Sequence, residues 1–342
     1  MRAAILQCRP GYQFHFGNYA VDSNTALSTS SEIIHSDTLF SALVLTYRDM
    51  FPEDTDDFVH AFEIGKIRIS SANFCLQQGD QWVWFLPKPL SFDLAKVTDA
   101  KHLKRIKYIS KRLWEIIEHP SELIEDEDIV IVQQRFALHR SELHLAFETG
   151  WDDLKVYYSQ VLPKVQVRKP KQEDNLYQLN TIEIPDNLAI APNLLVHYYF
   201  LYEITEANET LKSRFDLTLD LLGMSGIGAE RSTMGQLNGA VQKDWHLQLP
   251  TEESFSCTAS LVSPGVDEIR GLRYYRSMFR GGRRLGVGQL ELKSLRMLEE
   301  GSILKRSVTG EVHDITPDQA DHMVFKRNGK AFHLPIRKSW LL

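Results

Sequence analysis

The stretch HSDTLFSALVLTYRDM, His35 to Met50, decides how the rest of the chain is read. Leu39, Phe40, Leu43 and Tyr47 recur at the spacing of one helix face. Ser36 or Asp37 is placed to cap the first turn, and Pro52 with the acidic run Glu53 to Asp57 ends the helix. Upstream, Arg2 to Phe16 reads as a strand, with Ala4, Leu6, Tyr12, Phe14 and Phe16 on one alternation and Pro10-Gly11 bending it. Downstream, Lys66 to Gln77 and Gln81 to Leu86 read as a hairpin turning at Gly79-Asp80. Lys101 to Glu118 reads as a second amphipathic helix, with Leu103, Ile106, Ile109, Leu113 and Ile117 on its buried face.

Strand, helix, strand, strand, helix is most of a βαββαβ unit, so the fold class expected is α+β with a ferredoxin-like first unit. Such a sheet, backed by two helices, leaves one face and several loops free, as in RNA-recognition modules. A second unit begins near Leu194. It opens with the β-prone strand Val196 to Tyr202 and a short helix at Phe215 to Leu222, followed by strands at Gln236–Gln248, Ser254–Ser263 and Gln289–Glu299. Domains are therefore expected at 1–185 and 186–342.

Composition narrows the function classes. A chain of 342 residues that is 43% hydrophobic and 25% charged has enough apolar matter for sizeable cores. Its three cysteines, Cys8, Cys75 and Cys257, are far apart and form no CxxC pair, which disfavours a disulfide framework or zinc cluster. No signal peptide or membrane span is read, and a cytoplasmic location is expected. The formal net charge of -6 argues against a protein that coats itself in nucleic acid, but not against one holding RNA in a local groove. Basic residues do cluster: six lie between Lys101 and Arg112, and six arginines between Arg270 and Arg284. In the second cluster Tyr274, Tyr275 and Phe279 alternate with arginines, the mixture that stacks bases and holds phosphates. Either cluster would also serve as an ordinary solvated face.

Two segments carry the chemistry. GMSGIGAERSTMGQLNG, Gly223 to Gly239, sets five glycines around Arg231, Ser232 and Thr233. Consecutive N–H groups in such a loop can turn the same way and form an anion nest, to which Arg231 adds charge. The same glycines would also make a bland turn after a helix C-cap. The loop lacks GxxxxGK[ST], and Arg231 stands where a Rossmann loop needs its third glycine, so a nucleotide cofactor is not expected. The second segment is His35-Ser36-Asp37-Thr38, where a helix N-terminus offers N–H groups to an anion, or serves only as a cap. His139 and His144 lack metal-ligand spacing, and no metal is expected.

Several segments together resemble one family, the fourth Csm subunit of type III-A CRISPR effector complexes, within the RAMP superfamily. They are FHFG (Phe14 to Gly17), EIIHSDTLFSAL (Glu32 to Leu43), KYISKRLWE (Lys107 to Glu115), NLYQ (Asn175 to Gln178), GIGAERSTMG (Gly226 to Gly235), LVSP (Leu261 to Pro264), RMLEEGS (Arg296 to Ser302) and GKAFHLPI (Gly329 to Ile336). The resemblance implies two ferredoxin-like RAMP units, the second carrying the glycine-rich loop 223–239, with a thumb-like β-hairpin inserted at about 125–180 of the first. It implies a non-catalytic subunit that holds the 5′ repeat-derived tag of the crRNA and contacts the large polymerase-like subunit and a RAMP backbone subunit. Target RNA would be met only indirectly. The RNA contacts it implies are His35, Ser36 and Thr38 at the helix start, and Gly226, Ile227, Gly228, Ala229, Arg231, Ser232, Thr233 and Gly235 in the loop. Arg168 is the candidate on the thumb, and Arg280 and Arg283 are added from the arginine-rich stretch. The sequence departs from the family pattern at Ala229, Met234 and Gln236. An alternative reading is a metal-independent ribonuclease acting on repeat RNA, with His15 or His35 in acid–base roles.

Overall fold

The computed structural model describes residues 1–17, 29–147, 150–166, 175–205, 209–228, 231, 233–249, 252–282, 291–318 and 324–341. The first half contributes β1 (Arg2–Leu6), β2 (Gln13–Phe14), α1 (Ser36–Met50), α2 (Thr55–Glu63), β3 (Ile67–Ile69), β4 (Asn73–Gln78) and β5 (Gln81–Pro87). Then come α3 (Ala100–Arg105), β6 (Tyr108–Ser110), α4 (Lys111–Ile116), the one-turn α5 (Glu122–Glu125), β7 (Ile129–Val132), β8 (Phe136–His139) and the one-turn α6 (Gly150–Asp153). A ribbon of β9 (Tyr158–Gln166) and β10 (Asn175–Glu183) precedes β11 (Leu194–Ile204), α7 (Glu209–Ser225) and β12 (Ala240–Asp244).

One large sheet runs β12-β1-β11-β4-β5-β6-β8-β7, with β3 also on β11. Its first four strands, taken in chain order with their helices, read β1-α1-β4-β11-α7-β12, and every neighbouring pair among them is antiparallel. The chain order of these six elements is thus β-α-β-β-α-β, but they are not the elements expected: β5 and the Lys101–Glu118 stretch fall outside the set, and β11, α7 and β12 come from the second sequence half. Leu194–Ile204, expected to open a second unit, lies at the centre of the first sheet between β1 and β4. Its residues Val196 to Tyr202 are buried on both sides of the strand, the pattern of a central strand.

The same two-sided burial removes a feature the sequence had suggested. Ala4, Leu6, Tyr198 and Phe200 pack toward α1, α2 and α7, where Phe40, Phe58, Phe62 and Phe215 lie. Ala3, Ile5, Tyr199 and Leu201 pack the opposite way, against Cys257, Ala259, Ile303 and Phe332 of the C-terminal region. Each fully buried apolar side chain contributes roughly 1.5–3 kcal/mol. The sheet face expected to be free for RNA is therefore interior.

The C-terminal region is built of short strands. They are β13 (Phe255–Thr258), β14 (Leu272–Tyr274), β15 (Ser277–Arg280), β16 (Leu295–Leu298), β17 (Ile303–Lys305), β18 (Val312–Asp314), β19 (Lys326–Asn328) and β20 (His333–Leu334). They form a sheet β14-β17-β13-β20 and two ribbons, β15-β16 and β18-β19. Among the described residues no α-helix follows Ser225, so the helices of a second βαββαβ unit are not found there.

Two local expectations change as well. Arg2 to Phe16 is not one strand: Gly11, at φ +82°, turns the chain between β1 in the large sheet and β2 on β10. Its alternation holds nonetheless, since Ala4, Leu6, Phe14 and Phe16 share one core and Tyr12 packs on it. Lys101 to Glu118 is not one helix. Lys107 and Tyr108 both donate backbone N–H groups to the Arg135 carbonyl, and Tyr108–Ser110 pairs with β5 and β8. Ser110 then restarts the helix, its Oγ accepting from the Leu113 N–H at 3.2 Å. All five apolar residues of that stretch are buried as expected, but Leu103, Ile109 and Leu113 lie on α3, β6 and α4, while Ile106 and Ile117 follow the ends of α3 and α4.

Candidate nucleic-acid interface

α7 ends where the glycine-rich loop begins. Gly226 has φ +77° and its N–H caps the helix on the Leu222 carbonyl at 3.0 Å. The two arms of the loop then cross. The Ile227 N–H donates to the Gly235 carbonyl at 2.8 Å, and the Gly235 N–H to the Gln13 carbonyl at 2.7 Å. A Cβ on Gly226 would lie 2.3 Å from the Gly235 oxygen, and one on Gly235 would lie 2.3 Å from the Ile227 oxygen. Only glycine allows that crossing. Ile227 and Met234 are buried beneath it, and Arg231 and Thr233 stand exposed at its tip. The Ile227 amide is thus spent on closing the loop's root and the Gly235 amide on tying that root to Gln13 of β2. Ala229 and Ser232 lie outside the described residues, as do Arg168 and Arg283.

The helix start is built differently. His35 is buried; its Nδ1 lies 2.8 Å from Glu300 Oε1 and its Nε2 lies 3.2 Å from Ser31 Oγ. Ser36 is fully buried: its N–H donates to Ser71 Oγ and its own Oγ accepts from the Leu261 N–H. Arg280 grips Asp37 through two bonds of 2.9 Å and reaches Thr38 Oγ1 at 3.0 Å. Arg327 stands 3.7 Å from the same carboxylate. Burial alone would raise the Asp37 carboxyl, but the Arg280 guanidinium, aided by Arg327, holds it well below the ordinary range. The segment is an internal staple between the first helix and the C-terminal region. Arg280, expected on RNA, is 4% exposed with its charge turned inward; Thr38 is half-buried beside it.

The loop and the staple nevertheless share one neighbourhood, joined by the segment Phe14–Gly17 that continues from β2. A Cβ on Gly228 would sit 2.9 Å from the His15 carbonyl oxygen and 3.3 Å from the Phe16 ring, so the loop rests directly on this segment. The Phe16 N–H donates to Ser30 Oγ at 3.0 Å, and the Ser31 N–H donates to the Phe16 carbonyl at 2.9 Å. Ser31 then meets His35. On the other side, β2 pairs with β10 and His15 Nδ1 lies 2.7 Å from the Asn180 carbonyl. The β9–β10 ribbon, in the region where the resemblance implies a thumb, is anchored to the segment that supports the glycine loop.

Beside Ser31 and His35 opens a cavity of about 330 Å³ that the sequence did not single out. Its floor carries Glu32, Lys88, Tyr108 and Glu300; Lys104, Lys107 and Arg276 stand around it. Lys88 donates to Asp93 at 2.6 Å, and Arg276 bonds the other Asp93 oxygen at 2.5 Å. Glu32 accepts from Tyr108 at 3.0 Å and from Tyr157 at 3.3 Å, and pairs with Arg135 and Lys107. Burial pushes both Glu32 and Glu300 up, yet their cationic and hydrogen-bonding partners bring each below the ordinary value. The one available sequence signal was the pair of basic clusters, which meet here: Lys104 and Lys107 come from the first and Arg276 from the second. Among the described residues no group of three or more His, Cys, Asp or Glu is arranged to hold a metal ion, and no helix is long and apolar enough to cross a membrane.

Residues 251–336 match the Csm4 C-terminal domain family of CRISPR proteins. The chain is also similar to the CRISPR protein Csm4 of Methanocaldococcus jannaschii, with 23% identity over 94% of this chain and 90% of that one. Among solved structures it is similar to a chain of a Csm3–Csm4 subcomplex of a type III-A CRISPR-Cas interference complex, with TM-score 0.64 and 18% identity, covering 98% of this chain and 100% of that one. It is likewise similar to a chain of a Csm1–Csm4 cassette in complex with pppApA, with TM-score 0.53 and 19% identity, covering 98% and 97%. Residues 251–336 therefore carry a C-terminal domain of the CRISPR Csm4 type. Over nearly its whole length the chain is similar to Csm4, the family that the segments from FHFG to GKAFHLPI resemble.

Proposed function

We propose that this chain is the non-catalytic subunit that holds the 5′ repeat-derived tag of a crRNA in a type III-A Csm complex, and that it bridges the large polymerase-like subunit to the RAMP backbone. The observation that carries the reading is the seating of the glycine-rich loop on the segment Phe14–Gly17, with Arg231 exposed at its tip. The closed root fixes the loop; the tip presents a guanidinium to a phosphate. The β-α-β-β-α-β arrangement serves as a ferredoxin-like RAMP platform, and the β9–β10 ribbon as its thumb, reaching toward the guide–target duplex. Similarity to chains solved with Csm3 and with Csm1 supports the bridging role. In this reading the phosphate is met by Arg231 and Thr233 at the exposed loop tip.

Arg231→Ala is expected to weaken binding of tag-containing RNA by the assembled complex. Unchanged affinity at physiological salt would remove the loop from the interface. Co-purification of a crRNA with a uniform 5′ end together with the large subunit tests the wider role. The ribonuclease alternative loses ground because both ring nitrogens of His35 are engaged by buried neighbours. A defined cut of repeat RNA in EDTA, abolished by His35→Ala in a protein that still melts cooperatively, would restore it.

A further inference from the structure

We infer that Gln13 and Glu183 are positioning residues: they fix the angle of the β9–β10 ribbon to the glycine-rich loop, so that a guide strand gripped at the loop tip meets the ribbon at one nucleotide position. The inference rests on the RNA reading above and adds to it the joint that sets the register between loop and ribbon.

The joint passes through a single residue. The Gln13 carbonyl accepts from the Gly235 N–H at the loop root, at 2.7 Å. The side chain of the same residue reaches the ribbon, its Nε2 donating to Glu183 Oε2 of β10 at 2.8 Å. That carboxylate oxygen also accepts from Gln160 Nε2 of β9 at 3.1 Å. An ionised carboxylate only accepts, so one oxygen gathers an amide from β2 and another from β9 and ties three strands together. Gln13 thus holds the loop with its backbone and, through Glu183, both strands of the ribbon with its side chain.

The ribbon's shape is why such a joint matters. Among the described residues its only strand neighbour is β2. That ladder is short: Gln13 pairs with Glu183 and Phe14 with Ile182, and Gly11 and Tyr12 bond to Ile184. β9 and β10 have 9 residues each and pair along their whole length, which makes the ribbon about 30 Å long. A two-stranded ribbon is marginal by itself and free in its twist. As a lever it magnifies any error at its base: a tilt of about 6° moves the far end by about 3 Å, close to one nucleotide step along a strand. The backbone ladder attaches the ribbon; the bridge from Gln13 through Glu183 to Gln160 resists the tilt. All three side chains are half-buried and lie outside the apolar cores, so the bridge can be cut without opening the fold.

The test uses complexes assembled with target RNA on synthetic guides that carry 2-aminopurine at successive positions, from the 5′ tag inward, and reads the fluorescence that rises where a base is unstacked. The parent complex is expected to show one bright position. Gln13→Glu sets two carboxylates against each other across the strand pair and is expected to spread the signal over neighbouring positions, with tag affinity within about twofold of the parent. Gln13→Glu combined with Glu183→Gln rebuilds an amide–carboxylate pair in the reverse direction and is expected to restore the single bright position. A merely structural bridge would lower and then recover Tm in these variants without moving the fluorescence profile. An unchanged profile in Gln13→Glu, or one that stays broad in the double variant, overturns the positioning role. If the parent shows no bright position while Arg231→Ala still weakens tag binding, the ribbon sets no register and the loop assignment stands. If Arg231→Ala has no effect, the loop assignment and the register fall together.

Discussion

The glycine-rich loop and the His35–Thr38 helix start look alike as sequence, each a short polar run with anion-binding chemistry, yet they are opposites in the structure. The loop spends one amide to close its root and a second to tie it to Gln13, and leaves Arg231 in solvent. The helix start spends everything: His35, Ser36 and Asp37 are buried, and each is committed to a partner in the C-terminal region. A helix N-terminus binds anions only if it is open. Here the anion at the helix start is the protein's own Asp37, and the cations that answer it are Arg280 and Arg327. The first region is the proposed grip, the second a staple that holds the loop's platform to the C-terminal strands.

The contrast is broken most severely at the staple. Asp37→Ala leaves Arg280 and Arg327 buried without their counter-charge, which costs about 3–5 kcal/mol. Chemical denaturation is expected to show that loss, and limited proteolysis to show early release of the C-terminal region. A loss below about 1 kcal/mol would mean that the pair is solvated. The staple also has a pH signature. Asp37 and Glu300 are both held below their ordinary values in the folded chain. The unfolded chain therefore takes up their protons first as pH falls, and their contribution, fully present above about pH 5, drains away toward lower pH. The acid limb of a stability–pH curve is expected to be shallower in Asp37→Asn than in the parent.

How much of this was legible in the sequence depends on the range of the interaction. The α1 helix and the hairpin at Gly79-Asp80 were readable because periodicity and turn chemistry are local. The break at Ile106–Lys107 was not, because the spacing of Leu103, Ile106, Ile109, Leu113 and Ile117 satisfies a helix, while the pairing that makes Tyr108–Ser110 a strand comes from β5 and β8. The central place of Leu194–Ile204 was hidden for the same reason: its partners are β1 and β4, far back in the chain. At the site, the glycine loop was found from composition, but its crossing arms were not. Arg280 was assigned to RNA because its partner Asp37 lies 243 residues away. Glu300 went unnoticed inside RMLEEGS, although it bonds both His35 and Ser71.

A smaller effect is expected at the loop's root. Gly235→Ala places a Cβ at φ +79° against the Ile227 carbonyl oxygen. The strain is worth about 1–3 kcal/mol, and most of it can be relieved by opening the loop without unfolding the chain. The expected result is a modest drop in Tm with a disproportionate loss of tag-RNA affinity. Equal losses in both would make the loop a structural clasp like the staple and erase the distinction drawn between them.

The smallest change in stability is expected at Arg231, and it separates the two regions most cleanly. The side chain is exposed, so Arg231→Ala should alter unfolding free energy by no more than about 0.5 kcal/mol. If it contacts a phosphate, the slope of log affinity against log salt falls by about one, and affinity weakens similarly across guide sequences. The same titration on Arg280→Lys should show an unchanged slope but a lowered Tm, because that guanidinium faces Asp37 and not solvent. A reduced slope in Arg280→Lys, with full stability, would mean that the staple opens on RNA and that the helix start belongs to the grip after all.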